Sequence, residues 1–91
     1  MTIDEILKTL DLEHSEDIAK LLQDNGIVGW CFCDEHCPLA NYIRNKGPFE
    51  FVSVCEDKIS IDETVIATPE VLADFIDEFD SGEYPNLLSK K

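Results

Sequence analysis

Three features of this 91-residue chain predict an α+β fold, with helices and a short antiparallel hairpin sharing one core. Stretches near both ends repeat apolar residues at i, i+3, i+4 and i+7, the period of a helix with one buried face. Residues 50–62 switch to β-rich alternation broken by Glu56-Asp57-Lys58, the pattern of a hairpin. The chain is also 44% hydrophobic while holding 20 Asp or Glu against 7 Lys or Arg, a formal charge of −13. It can fold only if those acids lie outside a compact apolar interior, because charge without burial leaves the entropy of ordering unopposed. The expected order is α, α, loop, α, β, β, α in a single domain spanning 1–91, with residues 89–91 frayed.

Thr2 and Glu5 have capping-box spacing, so the first helix is expected to start there and run to about Leu12. Ile3, Ile6, Leu7 and Leu10 form its stripe. Ser15 is the expected cap of a second helix, with Glu16 and Asp17 in its first turn and Ile18, Ala19, Leu21 and Leu22 facing inward. Gly26 ends it, placing Leu22 and Ile27 at the two positions that meet in a Schellman closure. Residues 27–32 are too few to separate a strand from a buried loop by period. Pro38 suits the first position of a third helix capped by Cys37, with Leu39, Ala40, Tyr42 and Ile43 inward. Gly47 ends that helix by a one-bond closure, because Pro48 has no N–H to complete a Schellman pair.

Residues 50–55 and 59–62 are the expected hairpin strands, and Val65-Ile66-Ala67 is a candidate third. Thr68-Pro69 opens the last helix as cap and first residue, with Val71, Leu72, Phe75, Ile76 and Phe79 as its stripe and Ser81-Gly82 as its stop. The tail, Glu83 to Leu88, is apolar enough that it is expected to dock back.

No run of about twenty apolar residues is present to span a bilayer, and residues 1–5 lack the basic start of a secretion signal. The expectation is a cytoplasmic chain with reduced thiols. Its charge repels nucleic acid and anionic membrane and attracts basic protein surfaces.

The densest chemical group is Cys31, Cys33, His36 and Cys37. Structural zinc needs four N or S ligands, commonly as two separated pairs, and here the second pair is missing. Cys55 could join Cys33 and Cys37, so the metal candidates are Cys33, Cys37 and Cys55, with zinc as the cofactor if there is one. The opposing reading is that free cysteines pack as small apolar groups. Cys37 at a helix start beside His36 also suggests a thiolate nucleophile, but adjacency in sequence supplies no base and orienting group. Cys31 and Cys33, one residue apart, are badly spaced for a redox pair. The chain has no Gly-rich phosphate loop, nucleophile elbow or calcium-loop spacing, so the expectation is a protein that is not an enzyme.

The last helix is distinctive because Glu70, Asp74, Asp77, Glu78, Asp80 and Glu83 occur with no intervening Lys or Arg. Acids at a helix C-terminus oppose the dipole by a few tenths to about 1 kcal/mol, so local stability does not account for them. Glu70, Asp74, Asp77, Glu78 and Asp80 are therefore the expected contact residues for a basic partner. A row of anions can also imitate phosphates and occupy a nucleic-acid channel.

The segments Cys37-Pro38-Leu39-Ala40-Asn41-Tyr42-Ile43 and Phe79-Asp80-Ser81-Gly82-Glu83-Tyr84-Pro85-Asn86-Leu87 carry a resemblance over roughly residues 18–88. In them the chain resembles small acidic proteins of actinobacteria and their phages, a family that brings no activity with it. The family pattern lacks Cys31, Cys33 and His36, which implies that metal is not its shared property. The phage association implies an inhibitor of a host machine, anti-CRISPR-like or a nucleic-acid mimic. The leading expectation is thus an acidic binding protein, and the alternative is a small zinc or redox module on the Cys31–Cys37 cluster. A homodimer through Trp30, Phe32 and the apolar tail is a third possibility.

Overall fold

The computed structural model describes residues 3–30, 35–47 and 49–88. Its elements are α1 (Ile3–Thr9), α2 (Ser15–Asp24), α3 (Pro38–Lys46), β1 (Val52–Val54), β2 (Lys58–Ile61), β3 (Thr64–Ala67) and α4 (Glu70–Asp80), followed by a 3-10 turn at Pro85–Leu87. The α+β class holds, with an antiparallel sheet of three strands in the order β1-β2-β3. Val65-Ile66-Ala67 is the third strand, paired through Ile59↔Ile66 and Ser60↔Val65.

Helix α1 stops at Thr9, earlier than the expected Leu12. Thr9 Oγ1 donates to the Ile6 carbonyl at 2.6 Å and meets the Tyr42 hydroxyl at 2.7 Å, offering the backbone an alternative to another helical turn. Leu10 N–H then bonds the Leu7 carbonyl, a tighter i→i−3 link. Ile6 and Leu10 are nevertheless buried, so the stripe does its work. The Thr2 half of the capping box lies outside the described residues.

The start of α2 also differs. His14, with extended backbone, holds the cap position without a side-chain bond, and Ser15 is the first helical residue. The far end follows expectation. Gly26 has φ +69°, Ile27 N–H bonds the Leu22 carbonyl at 2.9 Å and Gly26 N–H bonds the Gln23 carbonyl at 3.0 Å, the two bonds of a Schellman closure. Leu22 and Ile27 are both buried beneath it.

Residues 27–30 form a loop with one bridge, Gly29 beside Leu88, and Gly29 N–H donates to the Leu87 carbonyl at 2.8 Å. A Cβ on Gly29 would collide with the backbone of His36, Cys37 and Pro38, so the loop can lie this close to α3 only with glycine there. Cys37 caps α3 as expected, its sulfur accepting from Ala40 N–H at 3.4 Å. Gly47 does not adopt the left-handed closure; its backbone is extended and its N–H makes an ordinary bond to the Ile43 carbonyl. The absent side chain leaves room for the Phe49 ring.

Asp62, at φ +51°, turns β2 into β3, and its Oδ1 accepts from Glu50 and Phe51 N–H at 3.0 and 2.9 Å. That carboxylate pins the chain entering β1. Thr68 does not cap α4. Pro69 holds the cap position, and the Thr68 hydroxyl donates to the Cys55 carbonyl at 2.7 Å.

Leu72, Phe75, Ile76 and Phe79 of α4 pack with Ile18 and Leu22 of α2, with α3, and with Val52, Val54, Ile59 and Ile61 of the sheet in one apolar cluster. Among the described residues no polar or charged side chain is buried. No helix among them is long and apolar enough to cross a membrane.

Candidate functional site

Every described carboxylate is exposed except Glu78 and Asp80, which are half-buried. The helical repeat turns Glu70, Asp74 and Asp77 of α4 directly away from the buried stripe, and all three are exposed. Of the five residues expected as contacts, these three form the outer ridge. Glu78 and Asp80 lie on its two flanks.

Glu78 has a particular setting. Tyr84 donates its hydroxyl to Glu78 Oε1 at 2.6 Å, Ser15 donates to the same oxygen at 2.8 Å, and the tyrosyl oxygen lies 3.3 Å from Ser15 Oγ. The Tyr84 bond and then the Ser15 bond hold the Glu78 carboxyl below the usual glutamate range, against a smaller opposing effect of burial. Burial, followed by the Glu78 bond, pushes the Tyr84 phenol up. The Tyr84 ring stacks on Phe75, centroids 5.3 Å apart. The start of α2 is thereby clipped to the end of α4 and the tail that follows it, more than 60 residues away in sequence. Glu78 shapes the acidic face more than it projects from it.

The α2–α4 packing creates a groove that the spacing of α4 alone does not reveal. An open depression of about 480 Å³ is lined by Glu13, His14, Ser15 and Glu16 on one side and by Val71, Asp74 and Glu78 on the other. It shares Glu13, Val71 and Asp74 with a second of about 480 Å³ that adds Asp11, Leu12, Pro69 and Glu70. Neither lining includes a Lys or Arg among the described residues. Carboxylates gathered in a concave surface reinforce one another's potential, because low-dielectric walls focus the field.

Part of the scarce positive charge is directed to neutral oxygens. Arg44 donates to the carbonyls of Val52 and Glu35 and, at 2.5 Å, to Asn41 Oδ1, joining α3 to β1 and to the preceding loop. Lys46 donates to Asn25 Oδ1 at 3.0 Å and lies 5.6 Å from the centroid of the Tyr42 ring.

The described thiols, Cys37 and Cys55, occupy other places. Cys31 and Cys33 lie outside the described residues. Cys37 is buried with its sulfur engaged as a helix cap, and the Cys55 thiol donates to the Lys58 carbonyl at 3.2 Å at the hairpin turn. Among the described residues no three His, Cys, Asp or Glu side chains form a group able to hold a metal ion. Of the expected dimer surface, Phe32 lies outside the described residues. Trp30 and Leu88 are 39% and 43% exposed, the tilted His36 ring has its centroid 5.9 Å from that of Trp30, and Asn41 braces the loop by donating to the Val28 carbonyl at 2.7 Å.

No protein-family model matches the chain, and no curated protein or solved structure matches it significantly.

Proposed function

We propose that this protein is a non-enzymatic binding protein whose acidic face, built on α4, engages a basic surface of another protein. One observation carries the reading: the exposed ridge of Glu70, Asp74 and Asp77 borders a concave surface lined by Asp11, Glu13 and Glu16, with no Lys or Arg in the lining among the described residues. A fixed array of anions steers and orients a cationic partner, giving rate and register more than raw affinity. Glu78, tied by two hydroxyls, sets the position of α4 beneath that array.

The partner class follows from the charge. Basic surfaces shaped to hold a phosphate row belong to nucleic-acid-binding proteins, and an anionic ridge can take the place of the phosphates and block the channel. The function proposed is accordingly inhibition by occupation, as in a phage-encoded inhibitor of a host machine. The chain itself would not bind nucleic acid, and its place of action would be the cytoplasm.

The test is capture of the partner from the native host on immobilised protein, followed by elution with duplex DNA or RNA. Nucleic acid is expected to displace the captured protein, and a variant carrying Glu70→Lys, Asp74→Lys and Asp77→Lys is expected to capture none of it. Retention by that variant, or indifference to nucleic acid, would contradict the reading.

A further inference from the structure

The acidic groove does not end at Asp11. A third open depression, of about 450 Å³, shares Asp11 and Pro69 with it and continues along α1, where Leu7, Leu10 and Leu72 line it beside Asp4 and Lys8. One channel therefore runs from an aliphatic end at α1 to a carboxylate end at the start of α2. Leu10 and Leu72 are part of the core and form a fixed floor, while Leu7 is half-buried at the wall. The ends differ chiefly in polarity: Leu7, Leu10 and Leu72 line the aliphatic end together with Asp4, Lys8 and Asp11, whereas carboxylates and no Lys or Arg among the described residues line the other. An occupant that is cationic along its whole length would meet Lys8 and leave the leucines uncovered. One that is apolar at that end would bury against leucine and present its cations to Glu13, Glu16 and Asp74.

From this polarity we infer that the groove receives a linear segment of the partner protein in which an aliphatic anchor is joined to a run of Lys or Arg. The inference rests on the basic-partner reading above and narrows it from a surface to a segment with direction. An apolar contact in a preformed cleft fixes register, and flanking charge pairs set approach and salt sensitivity. Of the outer ridge, Glu70 and Asp74 also line the groove, whereas Asp77 does not and is not needed for the segment to seat.

The experiment uses the full chain, labelled with nitrogen-15, titrated at low salt with two synthetic peptides of equal length and charge. One carries two leucines followed by alternating Lys and Arg, and the other has serine in place of the leucines. The leucine peptide is expected to bind at least about tenfold more tightly, with amide shifts at Leu7, Asp11, Glu13, Val71 and Asp74. Glu13→Lys with Asp74→Lys, both at exposed positions, is expected to weaken it at least about tenfold while amide dispersion stays native. Equal affinity for the two peptides, or shifts confined to Asp77 and its neighbours on the outer face of α4 with none at Leu7, Asp11 or Glu13, would overturn the groove and leave the basic-partner reading standing. Absence of binding by either peptide would overturn both. Shifts at the same residues on concentrating the protein alone would assign the groove to a second copy and overturn the partner segment.

Discussion

Replacing Tyr84 with Phe removes one oxygen while the stack on Phe75 is kept. What is lost is a 2.6 Å bond from a phenol to a carboxylate, together with the 3.3 Å approach to Ser15 Oγ. Hydrogen bonds to charged groups contribute about 1.5–3 kcal/mol, and because Tyr84 and Glu78 are only half-buried, solvent reduces this one to the bottom of that range or just below it, about 1–1.5 kcal/mol. A chain of this length unfolds with an entropy of roughly 0.2 kcal/mol per degree, so the midpoint should fall by about 5–8 °C. The effect should also depend on pH. Glu78 is held below its ordinary value, so its contribution is complete above the unfolded glutamate pKa and is lost as pH falls through the lower folded one. Thermal and denaturant unfolding of wild type and Tyr84→Phe, at neutral pH and in strong acid, give the midpoint shift and its pH dependence. A difference that is small at neutral pH, or unchanged in acid, would refute the clip between α2, α4 and the tail.

Other perturbations separate the physical causes at work elsewhere. Gly26→Ala places a Cβ at φ +69° in open space, so conformational strain alone should cost about 1–2 kcal/mol in chemical denaturation. Gly29→Ala has no such strain but meets the backbone of His36 to Pro38, and its loss of stability should exceed that of Gly26→Ala. Asp62→Ala removes the acceptor of two backbone N–H groups at an exposed turn and should cost about 1–2 kcal/mol, with Asp62→Asn recovering part of it because asparagine tolerates the left-handed backbone and retains an oxygen.

Helix interiors were legible in the sequence because a single periodic face decides them. The stripes of α2 and α4 are buried at Ile18, Leu22, Leu72, Phe75, Ile76 and Phe79, with Ala19, Leu21 and Val71 half-buried against them, and the Cys37-Pro38 start of α3 is local chemistry that tertiary packing leaves intact. Helix starts built on hydroxyls were not legible. Ser15 and Thr68 have the identity and position of N-caps, yet their hydroxyls go to Glu78 and to the Cys55 carbonyl, partners 63 and 13 residues away. A pattern of residue types cannot choose between a local donor and a distant acceptor. Asp62 reads as one polar site in an alternating strand, and its double bond to the chain before β1 emerges only from the register of the sheet. The acidic site was half legible. Glu70, Asp74 and Asp77 follow from helical spacing, whereas Asp11, Glu13 and Glu16 join them because α2 packs on α4. The signal available was that Glu13 and Glu16 flank a predicted helix start.

Location of charge can be separated from amount of charge with two triple variants of equal net charge. One reverses Glu70, Asp74 and Asp77 on α4 to Lys; the other reverses Glu50, Glu56 and Glu63 around the sheet, which are also exposed. Affinity of each for a short lysine homopeptide at low salt, read by calorimetry, should fall at least about tenfold for the α4 variant and stay within about threefold of wild type for the sheet variant. Equal losses in the two would show that the chain attracts cations only as a diffuse polyanion, and the α4 face would have no special part in what it binds.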